Sequence, residues 1–180
     1  MWGMNNLSKL SAWDVAYAID MAIACLITSW VMLFLIPRLV GWNSTSVGVL
    51  WAMISTVFVY KDTRTHSLSA GMSRLIATFA GFALCLIYLS LLPATLIGMG
   101  ALITAGVLLM IIIGRPDEAG LTAITIAVIM IVAANNPQEA WLQPLLRLVD
   151  TLIGISIGVA CKWIASFVIV RIIGEEMRLR

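Results

Sequence analysis

Long hydrophobic runs, separated by short polar or proline-containing breaks, divide the sequence into six segments. We predict helices at about residues 12–36, 47–60, 72–92, 96–113, 119–134 and 145–173. A helix needs about 20 apolar residues to cross the hydrocarbon of a bilayer. The second and fifth segments are short by this measure, so they cross with little tilt or where the bilayer thins. The pattern predicts an all-α integral membrane protein with six transmembrane helices in a single domain over residues 1–180.

Composition supports a membrane environment. The chain is 62% hydrophobic and 11% charged, with a mean hydropathy of +1.04. A soluble domain is about half apolar and about a quarter charged, and a fold of this length has too little interior to bury so much apolar surface. We therefore expect a lipid bilayer around most of the chain. A net charge of +2 gives no indication of a nucleic-acid partner. Cys25, Cys85 and Cys161 lie in apolar runs and are interpreted as small buried side chains.

The basic residues predict the orientation. With six spans, both termini and the connections near residues 61–64 and 114–118 lie on one side of the membrane. That side carries Lys9, Lys61, Arg64, Arg74, Arg115, Arg171, Arg178 and Arg180, whereas the other side has Arg38 and Arg147. Short loops rich in Lys and Arg stay in the cytoplasm, so we expect cytoplasmic N- and C-termini. Trp42 and Trp141 then fall at the outer interface, where amphipathic rings are common.

A short motif occurs twice. "RLIATFAG" at 74–81 and "RLVDTLIG" at 147–154 share Arg, Leu, Thr and Gly at the same four positions. The first copy opens the third helix from the inner side and the second opens the sixth from the outer side, so the copies run in opposite directions. Upstream, residues 25–38 also resemble residues 101–115. We predict a 3+3 inverted-topology repeat, a plan common among transporters; the alternative is chance similarity between helices rich in Leu and Ile.

The motif places Arg, Thr and Gly on one helix face, because they are spaced i, i+4 and i+7. The small residues of this face predict a close helix-packing seam; they are Thr78, Gly81, Thr151, Gly154 and Gly158. Arg74 and Arg147 leave two roles open. Each either anchors its helix by snorkelling to the headgroups or handles an anion on its way through the membrane. Asp150 follows Arg147 by three residues and is predicted to pair with it.

Two charges are predicted to lie deeper in the membrane than the others. Asp20 on the first helix and Lys162 on the sixth are each about 12 Å or more from the inner face, at 1.5 Å per residue. An unpaired charge at this depth costs at least about 3 kcal/mol, so we expect the two to approach each other or a shared polar cavity. One interpretation is a structural ion pair between the two helices. The other is a proton-linked carboxylate beside a substrate-binding ammonium.

The sequence contains no pattern typical of enzymes. It has no metal-ligand cluster, nucleophile triad or phosphate-binding loop, and its one histidine, His66, falls in a polar connection. We therefore predict a protein that is not an enzyme and that carries no metal or cofactor.

The two Arg-Leu stretches, the "NNPQEAW" connection and the six-span layout resemble the membrane domain of the fusaric acid resistance / aromatic acid exporter family over about residues 12–172. The resemblance implies efflux of small organic acids, often aromatic carboxylates, across the bacterial inner membrane, with proton coupling as an option. Many members carry two six-helix units and a soluble domain, and some work with a periplasmic adaptor protein. Because one unit is present here, a homodimer or higher homo-oligomer is expected. The alternatives are an organic-anion channel, as in plant malate channels, and a structural subunit of an efflux assembly.

Overall fold

The computed structural model describes residues 12–40, 46–61 and 64–178, and these residues fold into helices joined by short connections. The helices are α1 (Ala12–Trp30), α2 (Ser46–Val59), α3 (Arg64–Leu91), α4 (Leu96–Ile112), α5 (Ala119–Asn135) and α6 (Leu142–Arg178). Single 3-10 turns at Pro116–Glu118 and Pro137–Glu139 precede α5 and α6. The orientation and interface predictions for Lys9, Trp42 and Arg180 lie outside the described residues.

Four stretches of the described chain are long and apolar enough to cross a membrane. They are Asp14–Arg38, Thr65–Leu91, Pro116–Asn135 and Leu142–Phe167. The other two, α2 and α4, are apolar but have only 14 and 17 residues. The outer surface matches a lipid environment, since Leu91, Leu96 and Ile97 are each more than three-quarters exposed. The prediction of an all-α multi-pass membrane protein is confirmed, whereas the number of spanning helices stays a prediction.

The first helix does not end at Pro37, where the sequence predicted a break. It continues through a π-helical stretch, Val31–Leu35, and a final α-helical stretch, Ile36–Val40. Proline lacks an amide hydrogen, and its ring crowds the carbonyl one turn earlier. The wider π turn accommodates this, because the amide of Ile36 donates to the carbonyl of Val31, five residues back. The proline therefore lies inside a helix.

The third helix begins earlier than predicted, at Arg64 instead of about residue 72. Its first turns are polar and include His66, which the sequence placed in a loop. Arg74 consequently lies about 15 Å along the helix at 1.5 Å per residue, and not at its first turn.

The bundle has a central pair and two flanking groups. The central pair is α3 against α6. On one side α2 packs on α6, and α1 packs on both; on the other side α5 packs on α3, and α4 packs on both. A buried apolar cluster joins α3, α4 and α5 and consists of Cys85, Leu89, Leu102, Ile126, Ile129, Met130 and Ala133. All three cysteines are free thiols, with Cys85 buried and the other two half-buried.

Tight caps keep the connections around α4 short. Thr95 follows Pro93 and accepts a hydrogen bond from the amide of Gly98 at 3.1 Å, which caps the first turn. At the other end Gly114 adopts a φ of +80°, and the amide of Arg115 donates to the carbonyl of Met110 at 2.8 Å. This is a glycine-dependent helix stop. It turns the chain directly into the polar stretch before α5.

Candidate functional site

Arg74 is a fully buried arginine that makes no hydrogen bond to the described residues. Its side chain is 0% exposed, and none of its three guanidinium nitrogens has an acceptor in the part of the chain that the structure describes. The guanidinium carbon lies 4.8 Å from the ring centre of Trp51 and 5.1 Å from that of Phe58, both on α2. Contacts with aromatic faces stabilise a cation, but they do not replace hydrogen-bond acceptors. The guanidinium is therefore a buried charge whose hydrogen-bond donors are not satisfied by the described residues.

The carboxylate of Glu118 does not neutralise Arg74. One Glu118 oxygen accepts a hydrogen bond from the hydroxyl of Ser73 at 3.0 Å and pairs with Arg115 at 3.1 Å. Although Ser73 precedes Arg74 directly in sequence, its contact with Glu118 leads away from the guanidinium, since successive residues on a helix point about 100° apart. The Glu118 carboxylate therefore binds Ser73 and Arg115.

Arg147 has the same motif position in α6 but a different environment. It is also buried, at 1% exposure, and its Nη1 lies 3.0 Å from Oδ2 of Asp150, as the i, i+3 spacing predicts. The two atoms are close, but their geometry is not that of a hydrogen bond. A Cβ on Gly48 would lie 3.2 Å from both Asp150 oxygens. The carboxylate therefore sits against the first turn of α2, where the helix dipole stabilises negative charge.

The burial of both arginines bears on the two roles that the sequence left open. Snorkelling requires the charged head to reach the headgroups or water. Neither Arg74 nor Arg147 exposes its guanidinium, since both point into the helix bundle. Anchoring by snorkelling therefore does not fit these two positions, and anion handling stays a prediction.

The small residues of the motif lie at helix crossings. A Cβ on Gly154 would collide with the carbonyl oxygen of Ala52 on α2, and one on Gly158 would lie 3.1 Å from the carbonyl oxygen of Thr56. Gly81 of α3 has the corresponding contact with α5, where a Cβ would lie 3.0 Å from Cγ2 of Thr125. These glycines let the backbones of neighbouring helices come close.

The two motif threonines differ in their contacts. Thr151 accepts a hydrogen bond from the indole nitrogen of Trp51 at 2.9 Å. Thr78 is also buried, but its hydroxyl has no hydrogen-bond partner among the described residues. Thr78 lies one turn beyond Arg74 on the same helix face. Two neighbouring polar side chains, the Arg74 guanidinium and the Thr78 hydroxyl, therefore lack hydrogen-bond partners among the described residues.

Asp20 and Lys162 meet at a tyrosine, and not directly. The hydroxyl of Tyr60 donates to Oδ2 of Asp20 at 2.7 Å. Nζ of Lys162 lies 5.0 Å from the ring centre of Tyr60 and 5.2 Å from that of Tyr17. Within the described residues no ion pair of 4.0 Å or less joins Asp20 to Lys162. The direct pair that the sequence suggested is thus replaced by a cluster built around Tyr60.

Comparison with known families identifies the chain's relatives. A family model described as fusaric acid resistance protein-like matches residues 32–161, which is more than half of the chain. The chain belongs to this family. No curated protein and no solved structure matches it. Membership of the family, together with the apolar helices, indicates a multi-pass membrane protein related to transport.

In this member of the fusaric acid resistance protein-like family, sequence reasoning missed the aromatic residues around the charges. Trp51 and Phe58 are seven residues apart on α2 and share a face, which is a recognisable spacing. Nothing in that spacing indicates which helix lies opposite, so the contact with Arg74 became visible only in the folded chain. Tyr60 was missed because it ends an apolar run, a position typical of a residue at the membrane interface.

Proposed function

We propose that the protein exports small organic anions, aromatic carboxylates in particular, across the bacterial inner membrane. The observation that carries the proposal is Arg74, a buried guanidinium with two aromatic neighbours and no acceptor among the described residues. A guanidinium can bind a carboxylate through two parallel hydrogen bonds. The rings of Trp51 and Phe58 offer an aromatic ligand an apolar, stackable surface. In a low-dielectric interior such a charge contact is stronger than in water.

The proposal includes six membrane-spanning helices with both termini in the cytoplasm. At 1.5 Å per residue α2 and α4 are about 21 Å and 26 Å long, against a hydrocarbon thickness of about 30 Å. They would cross where the bilayer thins locally. This arrangement puts Arg74 in the inner half of the membrane and Arg147 in the outer half.

Helix packing supports the 3+3 inverted repeat. Exchanging α1, α2 and α3 for α4, α5 and α6 maps every major packing pair onto another observed pair, and the α3–α6 pair onto itself. The register agrees as well. Thr125 follows Ala52 by the same number of positions by which Gly154 follows Gly81, and these residues form the two glycine contacts. The matching contacts favour the repeat over chance similarity between apolar sequences.

Proton coupling would reside in the cluster of Asp20, Tyr60 and Lys162. The carboxylate of Asp20 accepts from the hydroxyl of Tyr60, and the ring centre of Tyr60 lies 5.0 Å from Nζ of Lys162, so the cluster combines a carboxylate with a buried ammonium inside the bundle. The same contacts also tie α1, α2 and α6 together, so a purely structural role is the competing proposal. Neutral replacements distinguish the two roles, as described in the Discussion.

We propose that the active unit is a homodimer or a higher homo-oligomer, with a periplasmic adaptor as an optional partner. An apolar groove of about 640 Å³ on the outside of α3, α4 and α6 offers a contact surface; it is lined by residues such as Phe79, Ile87, Leu109 and Leu152. Native mass spectrometry of detergent-solubilised protein is expected to give a dimer or larger species. An active monomer would contradict this part of the proposal.

The deciding experiment is transport in liposomes. Purified protein is expected to move labelled benzoate in a saturable way that depends on an imposed proton gradient. Arg74→Gln should abolish this transport, whereas the matched control Arg38→Gln, at an exposed arginine, should not change it. Ionic current without dependence on the gradient would favour the anion-channel alternative. Transport by Arg74→Gln at the wild-type rate would overturn the assignment of Arg74.

A further inference from the structure

We propose that Arg147 forms a second anion-binding site and that the carboxylate of Asp150 fills it. In this view the residue three positions after each motif arginine decides whether that arginine accepts a substrate anion. The inference rests on the proposed function, because it takes Arg74 as the open anion site. It adds a residue that determines where substrate binds.

The two motif copies differ at this position. "RLIATFAG" has Ala77 where "RLVDTLIG" has Asp150. Residues three apart on a helix share a face, and Asp150 reaches Arg147 at 3.0 Å. Ala77 is completely buried and has no group that could reach Arg74. One guanidinium therefore has a partner from its own helix, and the other lacks one.

The surroundings of Asp150 are those of an anion-binding site. The carboxylate faces a buried arginine and the first turn of α2, and the missing side chain of Gly48 makes room for it. Positive charge, helix N-terminus and burial together favour a bound anion. The anion present is a carboxylate of the chain itself, so Arg147 is closed to an external carboxylate as long as Asp150 is charged and in place.

At Arg74 no carboxylate of the described chain fills the corresponding position. The arginine is equally buried, but its three nitrogens lack acceptors in the described chain. The hydroxyl of Thr78, one turn further on the same face, also has no partner there. These groups supply hydrogen-bond donors for a carboxylate. The geometry therefore points to one external anion per subunit, bound at Arg74.

The test moves the carboxylate from one copy to the other. Ala77→Asp is compared with Ala77→Asn, which has nearly the same size and no charge. Calorimetry with benzoate is expected to give binding to Ala77→Asp at least about tenfold weaker than to Ala77→Asn, a loss of about 1.4 kcal/mol. Ala77→Asp should also unfold at a higher temperature than Ala77→Asn, because Arg74 gains a partner. Equal affinities and equal unfolding temperatures would overturn the inference.

The reverse change opens the second site. Asp150→Ala removes the carboxylate and its volume, so it should raise the stoichiometry from one benzoate to two per subunit; a single site of wild-type affinity in a folded Asp150→Ala protein would contradict the inference. If this variant does not fold, the double variant Arg147→Leu/Asp150→Leu replaces the pair by apolar side chains. It should keep one benzoate site, and loss of that site would place substrate at Arg147 and overturn the inference.

The two proposals fail in different ways. If wild-type protein and Arg74→Gln bind no benzoate while Ala77→Asp still unfolds at a higher temperature than Ala77→Asn, the substrate assignment is wrong and the role of the position stands. If Arg74→Gln abolishes benzoate binding but Ala77→Asp and Ala77→Asn bind equally, the anion site stands and the inference falls.

Discussion

Trp51 of α2 and Thr151 of α6 are joined by a hydrogen bond of 2.9 Å from the indole nitrogen to the threonine hydroxyl. The same indole also contacts Arg74 of α3, whose guanidinium carbon lies 4.8 Å from the ring centre. One side chain therefore touches the threonine of one motif copy and the arginine of the other. A change at Trp51 is felt on both central helices.

This hydrogen bond can be measured by a double-mutant cycle. Trp51→Phe and Thr151→Val each remove one partner, and each should lower the free energy of unfolding by about 1 kcal/mol. The double variant should lose less than the sum, with a coupling of about 0.6 kcal/mol, as is typical of hydrogen bonds between helices in membranes. Unfolding in mixed micelles gives these values. Strictly additive losses would mean that the bond does not form.

Gly154 should tolerate no side chain. In Gly154→Ala the new Cβ meets the backbone oxygen of Ala52, which cannot move without shifting α2. We expect a loss of about 1–3 kcal/mol in the free energy of unfolding, as for overpacked cores. Gly100→Ala is the matched control, because a Cβ there meets nothing within 4 Å. It should change stability by no more than about 0.5 kcal/mol, and a loss equal to that of Gly154→Ala would argue against the close crossing.

Phe58 should control access to Arg74. Of the two rings that contact the guanidinium, Trp51 is 3% exposed and Phe58 is 42% exposed, so Phe58 is the one that reaches the outer surface of the helix bundle. Phe58→Ala should speed benzoate association and also weaken affinity by several-fold, since a lost aromatic contact is worth about 1 kcal/mol. Stopped-flow binding measures both effects. The control is Phe167→Ala, another exposed phenylalanine, on α6; the same acceleration there would exclude a specific gate.

The charged cluster on α1 and α6 gives a test of coupling. In Asp20→Asn the amide oxygen can still accept from Tyr60, so we expect assembly to survive while the charge is lost. Adding Lys162→Met removes the buried ammonium as well. If the cluster couples protons, the double variant should assemble normally and lose only the dependence of transport on the proton gradient. Normal yield together with gradient-dependent transport in the double variant would leave the cluster a structural role.

The topology is tested by cysteine labelling. In a variant without Cys25, Cys85 and Cys161, a cysteine at exposed Asn135 should react with a membrane-impermeant maleimide applied from outside the cell. A cysteine at exposed Asp117 should react only after the membrane is opened. The reverse pattern would overturn the orientation that the basic residues predict.

The sequence predicted the class of fold and the contacts within one helix better than it predicted the contacts between helices. Hydrophobic runs indicate membrane helices because the period and length of a helix are fixed locally. The pairing of Arg147 with Asp150 is local as well, and the structure has it. By contrast, the contacts of Arg74 with α2 and of Asp20 with Tyr60 depend on which helices pack together. Spacing within a single helix carries no information on that choice.

The boundaries that the sequence misplaced have identifiable physical causes. The polar residues at the start of α3 resemble a loop if a membrane helix is equated with its apolar part, but the helix extends through them to Arg64. Pro37 was treated as a helix stop, but a wider turn before it keeps the helix going. Both errors come from reading residue type without the hydrogen bonds that the backbone can rearrange.

The wide turn at Val31–Leu35 lets the first helix absorb the loss of a single residue. A π turn holds one residue more than the α-helical ladder needs. The buried stripe of Ala24, Thr28 and Met32 runs down to this turn at a spacing of four. Deleting one residue within the stretch would restore a regular helix, and the residues beyond it would keep their direction because the surplus residue is the one removed. The same deletion earlier in α1 would instead rotate Arg38 by about 100° relative to the buried stripe.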